Sequence, residues 1–271
     1  MTASIALAIG IAAGLHTGTW GMYKDAPHEG FGWPRYFRST LVAACCALLI
    51  WRLCALPDGP AGFLALFGVT YAAERALTEF YKTFVRQQSQ SKYTIPMQFA
   101  VFGRPVQSRG LRLLAGMGHV VVVLTVIGVI RWIDGATNVA PWWLRAALVG
   151  SLGGWISAFG GAWKDAPIEG FQAFKFVRSP GIALIWSMLL GALADDLLVV
   201  AFGGLGYTIA TIETWKTFFF PLVPRGKFAG KPVRFPQHLA FRKRFVPVYV
   251  AIWLTVLTAL AGAVAEGVTR G

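Results

Sequence analysis

Residues 23–39 read YKDAPHEGFGWPRYFRS, and residues 163–179 read WKDAPIEGFQAFKFVRS. The two stretches align without a gap at an offset of 140. Two shorter pairs follow in the same order: TEFYKTF (78–84) with IETWKTF (212–218) at offset 134, and GRPV (103–106) with GKPV (230–233) at offset 127. Motifs that recur in one order mark an internal repeat, and a repeat constrains the architecture before any single element is placed. The chain reads as one membrane domain, 1–271, made of two tandem halves of about 1–135 and 136–271.

Around the motifs the chain is apolar. Of its 271 residues 56% are hydrophobic and 14% charged, with a mean hydropathy of +0.57. Soluble domains carry about 25% charged residues. The shortfall excludes a disordered chain, a nucleic-acid-binding arm and an ordinary soluble enzyme. A membrane helix needs about 20 apolar residues. Eight segments approach that length: Ala3–Met22, Thr40–Leu56, Ala61–Val85, Leu111–Trp132, Trp142–Trp163, Pro180–Leu193, Leu197–Phe220 and Phe245–Val264. The first lacks the charged start of a signal peptide, and its internal counterpart, the fifth, cannot be a cleaved leader. The expected fold is an all-α polytopic membrane protein with about eight transmembrane helices, four per half. An even count leaves both halves facing the same way, related by a pseudo-two-fold along the membrane normal.

Charge distribution gives an orientation. The net charge is +13 and the pI about 10.1. The four loops that carry motifs hold 20 of the 25 Lys and Arg residues. Lys and Arg collect on the cytoplasmic side. The motif loops are therefore expected in the cytoplasm and both termini outside, in a bacterial-type cytoplasmic membrane. The basic loops should attract anionic lipid headgroups, by about 1 kcal/mol per charge near the surface; nucleic acid is not an expected partner. Cys45, Cys46 and Cys54 share one apolar run with no His or carboxylate at ligand spacing, so neither a metal site nor a disulfide is indicated.

The acids are more selective. Seven lie on the motif side or within helices near it, and six of them belong to the repeats: Asp25, Glu29 and Glu79, then Asp165, Glu169 and Glu213. Glu74 is the unmatched one. Pro27 and Gly30 are expected to break the first helix. Asp25 and Glu29 would share a face if the stretch were helical. One reading of the loop is a locked hairpin, with its acids paired to Arg35 and Arg38. The other gathers Asp25, Glu29, Asp165 and Glu169 at the pseudo-axis, where carboxylates could hold Mg²⁺ and, through it, substrate phosphates. Glu79 and Lys82, like Glu213 and Lys216, stand one helical turn apart, and Arg75 shares the face of Glu79 and Lys82. Ionisable groups inside a membrane usually face the bundle interior or water, so these five residues form the candidate binding site or ligand path; the other reading is an internal ion pair that pins the third helix to the first. Glu74 and Arg75 correspond to Thr208 and Ile209, which makes any central site asymmetric. Arg104 and Lys231 of the G-[RK]-P-V loops, with Arg38 and Arg178, are candidate phosphate contacts. His16 and His119 read as buried, hydrogen-bonded helix residues. Gly10, Gly14 and Gly21 match Gly150, Gly154 and Gly161 and read as close helix contacts.

The stretch KDAPIEGFQAFKFVRS (164–179) resembles the second acidic motif of intramembrane aromatic prenyltransferases. That family also places two cytoplasmic acidic motifs on parallel helical halves, usually with three or more acids each; here each motif has one Asp and one Glu. The resemblance implies a Mg-dependent intramembrane enzyme acting on a prenyl or lipid-linked phosphate. No nucleophile constellation is visible, so enzymatic activity stays open. The architecture leads first to a transporter or channel with a cytoplasmic-facing polar site, since parallel duplicated halves are a common transporter build. A non-catalytic scaffold or accessory subunit is the third reading.

Overall fold

A computed structural model describes residues 1–93, 97–220 and 228–266, with the side chains of Lys92, Ile168 and Glu169 left aside. The helices are α1 (Ala3–Glu29), α2 (Trp33–Leu53), α3 (Gly59–Phe80), α4 (Arg109–Ala136), α5 (Trp142–Gly150), α6 (Leu152–Glu169), α7 (Ala173–Gly191), α8 (Leu197–Phe218), α9 (Gln237–Phe241) and α10 (Val246–Ala265). A π-helical turn, Tyr81–Val85, extends α3, and a short hairpin, β1 (Ala100–Val101) with β2 (Arg104–Pro105), follows it.

Six helical stretches are long and apolar enough to cross a membrane: α1, α2, α4, α7, α8 and the continuous run Gln237–Ala265. Eight were expected. The third and fifth segments account for the difference. The helix α3 carries Glu74, Arg75 and Glu79 in its last two turns. The fifth segment divides at Ser151 into α5 and α6, of 9 and 18 residues. Glycines at 150, 153 and 154 flank that break, and glycine costs about 1 kcal/mol relative to alanine within a helix.

The first helix does not break where expected. It runs through Pro27 and ends at Gly30, whose φ of 77° suits glycine. The helix α6 likewise runs through Pro167 and ends at Gly170, φ 79°. Proline has no N–H, so Pro27 leaves the carbonyl of Tyr23 without its helical donor. The Arg242 guanidinium donates to that oxygen at 3.1 Å and lies 4.5 Å from the Tyr23 ring. A distant residue thus supplies the bond that the proline removes.

Small residues set the helix crossings. A side chain at Gly10 would meet Ala44 and Ala47, and one at Gly14 would overlap Ser39 and Thr40. At offset 140 the same relation recurs: Gly150 meets Leu184 and Ser187, and Gly154 meets Ser179 and Pro180. Gly21 and Gly161, expected to pack in the same way, have nothing within 4 Å. The closest approach lies between α3 and α8 at the centre of the bundle. A Cβ on Gly206 would overlap the carbonyl oxygen of Gly68, and one on Gly68 would lie 2.8 Å from Tyr207. Tyr207 is fully buried there, stacks on Phe67 at 5.7 Å and donates to the carbonyl of Leu64 at 3.0 Å. At the helix ends away from the motifs, Arg145 pairs with Asp134, and Arg131 reaches Asp196 at 3.1 Å.

Replacing Gly206 by alanine should force α3 and α8 apart and cost about 1–3 kcal/mol, the usual range for an overpacked core. Gly128 of α4 has open space around it; Gly128→Ala should be neutral or slightly stabilising. Thermal unfolding of the two variants in detergent checks the contrast, and equal midpoints would contradict the packing account.

Candidate functional site

Four helices, α1, α3, α6 and α8, bring their C-terminal ends to one region. The negative end of a helix dipole favours a cation, and Lys24 and Lys164 stand near the ends of α1 and α6. Each reaches a glutamate from the other part of the chain. Lys24 donates to Glu213 at 2.9 Å, and Lys164 to Glu79 at 3.3 Å. Each glutamate also takes the lysine one turn along its own helix: Lys82 to Glu79 at 2.9 Å, and Lys216 to Glu213 at 3.5 Å. The K of one KDAPxEGF motif therefore pairs with the E of the other half's ExxKTF motif, in both directions. Lys24 and Glu213 are only 14% and 13% exposed. Water screens such a pair poorly, so each partner depends on the other.

The array is asymmetric, as the sequence predicts. Arg75 also pairs with Glu79, and the corresponding position on α8 is Ile209. Trp20 joins the two sides: the Lys24 ammonium lies 5.1 Å and the Arg75 guanidinium 5.2 Å from its ring. All five residues expected to form the central polar site thus belong to ion pairs, in two clusters with Trp20 between them: Arg75, Lys82 and Lys164 on Glu79, and Lys24 and Lys216 on Glu213.

The third motif also crosses. His28 donates to the carbonyl of Pro232 at 3.0 Å, and the carbonyl of Pro27 accepts from the backbone N–H groups of Arg234 and Phe235 at 3.0 and 2.9 Å. At the end of α6, a Cβ on Gly103 would lie 3.1 Å from Pro167, and Trp163 donates to the carbonyl of Ala100 at 2.9 Å. The GKPV loop so covers the first acidic motif, and the GRPV hairpin the second.

Beside the network lies a cleft of about 770 Å³, counting its open mouth, between the end of α1, the start of α2 and the end of α3. Asp25 and Glu29 share a face of α1, as their spacing allows, and line it with Arg35, Arg38, Arg75, Lys82 and Arg86. Of the four candidate phosphate contacts, Arg38 alone lines this cleft. Arg104 and Lys231 are exposed on their loops, and Arg178 is half-buried on α7. Asp165 is half-buried at the end of α6; the side chain of Glu169 lies outside the described residues. Among the described residues, no three His, Cys, Asp or Glu side chains come together as a metal-holding group.

Other polar residues escaped the motif search. His16 is buried as expected: it bonds the Tyr71 hydroxyl at 3.0 Å and stacks on Tyr249 at 4.0 Å. Trp20 donates to the same hydroxyl at 3.0 Å. His119, expected to be buried, is exposed on α4 beside the rings of Phe80 and Phe84; the helix turns that face outward. Glu74 is fully buried, and neither carboxylate oxygen has a hydrogen-bond partner among the described residues. Its only sequence signal was its lack of a repeat counterpart. Arg35 and Arg86 join the cleft through folding alone.

The class is plain from these features: the chain is an all-α integral membrane protein, with six helices long and apolar enough to span a membrane. No known protein family, curated protein or solved structure matches it, so the likeness to prenyltransferases stays confined to one short motif.

Lys24→Met should destabilise the protein by about 3 kcal/mol, the lower end for removing one partner of a buried pair. The reversed pair, Lys24→Glu with Glu213→Lys, should recover a substantial part of that loss. A double-mutant cycle read by thermal unfolding in detergent measures the coupling, and strictly additive single effects would contradict a direct pair.

Proposed function

We propose that the protein is a membrane transporter or channel built from two parallel four-helix halves, with the crossed ion pairs as its gate. The observation that carries this reading is the reciprocity of Lys24–Glu213 and Lys164–Glu79. Each half holds the other at one face by the same two motif residues. Such a clasp can be opened by moving one half against the other, the motion by which parallel-repeat transporters alternate access.

Eight crossings follow if α3 counts with its partner α8 and α5 with α6 forms one interrupted span. The close packing of α3 along α8 supports the first, and the shared glycine contacts of α1–α2 with α5, α6 and α7 support the second. Interrupted helices and buried charges are tolerated in a membrane where protein or a water-filled cavity surrounds them. The positive-inside rule puts the motif face in the cytoplasm. A metal-dependent phosphate enzyme would need Asp25, Glu29, Asp165 and Glu169 to converge. Among the described residues, Glu79 and Glu213 hold the crossed ion pairs and Asp25 and Glu29 line the basic cleft, and this division supports a gated path.

The gate has a test that needs no known substrate. Thr208 is fully buried near the middle of α8. In a chain whose native cysteines are serine, Thr208→Cys should be protected from a membrane-impermeant maleimide added on the motif side. Adding Glu79→Gln and Glu213→Gln should speed its labelling at least several-fold in proteoliposomes. Unchanged labelling in a folded variant would remove the crossed pairs as a gate.

A further inference from the structure

The cleft beside the network has a charge balance of its own. Five cations, Arg35, Arg38, Arg75, Lys82 and Arg86, line it together with Asp25 and Glu29. Glu79, bonded to Arg75 and Lys82, is the third carboxylate on these groups. With Lys164, which shares Glu79, and Glu74, fully buried beside Arg75, six positive charges face four negative, an excess of two. Part of the donor capacity is unused. The Nε of Arg38 and the Nε and Nη2 of Arg86 are buried and make no hydrogen bond among the described residues. Buried guanidinium donors without acceptors are unfavourable, so their arrangement calls for an acceptor from outside. The cleft also includes Gly32, the N-cap of α2, which has no side-chain cap. The positive dipole end of that helix favours an anion at the same place. Trp20, Tyr36 and Tyr93 add aromatic wall.

We infer that this cleft binds a phosphate-bearing dianion, one per chain. Guanidinium forks match the several oxygens of a phosphate, and charge-assisted bonds of this kind are about twice as strong as neutral ones. The excess charge of two fits a phosphomonoester or a diphosphate group better than a single carboxylate. The count of one follows from sequence. Arg75 and Arg86 correspond at offset 134 to Ile209 and Phe220, so the second half lacks two of the five cations. A soluble phosphate and a lipid headgroup present the same chemistry to this cleft. The inference deepens the transport reading and rests on it for its purpose, since it names the substrate class. Binding can still be measured whether or not the gate opens.

The probes are pyrophosphate and phosphatidic acid. Purified protein in neutral detergent is titrated with pyrophosphate by calorimetry. In parallel, protein in phosphatidylcholine nanodiscs with and without phosphatidic acid is examined by native mass spectrometry. Arg38→Gln and Arg86→Gln are compared with wild type and with Lys243→Gln, a change at an exposed residue away from the cleft; thermal unfolding confirms that each is folded. The expected result is a stoichiometry of one and an affinity at least tenfold weaker in both arginine variants, with Lys243→Gln unchanged. Variant-sensitive binding of pyrophosphate marks a soluble phosphate. Variant-sensitive retention of phosphatidic acid alone marks a lipid headgroup. Binding of neither probe, two sites per chain, or equal losses in all three variants would overturn the inference. A gate that fails the labelling test with the site intact would leave a binding protein of the same chemistry, so the two failures are distinguishable.

Discussion

A carboxylate carried into an apolar bundle must find its counter-charge nearby, and Glu79 and Glu213 impose that demand at the ends of the two central helices. The lysine one turn along each helix answers part of it. The rest comes from Lys164 and Lys24, which arrive on α6 and α1. Much of the bundle serves this delivery. The helix α1 must continue past Tyr23 to present Lys24 on the correct face, so it passes through a proline. It must also lie tightly on α2, which Gly10 and Gly14 permit. The central helices must approach closely enough for both glutamates to be reached, and Gly68 and Gly206 provide that contact. Removing any of these conditions leaves a charge stranded in poorly hydrated surroundings.

The network is balanced differently on its two sides. Among the described residues, Glu79 takes Arg75 as well as two lysines, whereas Glu213 takes two lysines. The extra arginine also borders the basic cleft, so one residue belongs to both the clasp and the pocket. Trp20 lies against Arg75 and Lys24 together. A ligand that draws Arg75 toward the cleft would weaken its hold on Glu79. Coupling between the two sites thus needs no long chain of intermediates.

Much of this was legible in the sequence, where it rested on local spacing. Six of the eight segments found helices long and apolar enough to span a membrane, and the three-residue separation of Glu79 from Lys82 gave a real pair. The failures have physical causes. Pro27 looked like a break because the local rule counts a missing donor; Arg242, far along the chain, replaces it. The fifth segment looked continuous because hydropathy does not register the weakness of a Gly-Ser-rich stretch at 150–154. Lys24 could not be matched to Glu213 from spacing alone, because the match depends on how helices from different parts of the chain meet. The cleft was missed for the same reason: Arg35 and Arg38 come from the start of α2 and Arg86 from beyond the end of α3, and Arg86 belongs to no candidate constellation. Glu74 shows the opposite case, a residue whose isolation in the sequence was itself the signal.

The bond from Arg242 to Tyr23 spans 219 residues, and that from His28 to Pro232 spans 204. Until residues 232–242 are made, α1 has neither bond, and the carbonyl freed by its proline stays unserved. A chain cut before residue 232 therefore carries an unfinished end on α1, which gives a quality-control system a direct chemical distinction between such a product and a longer one.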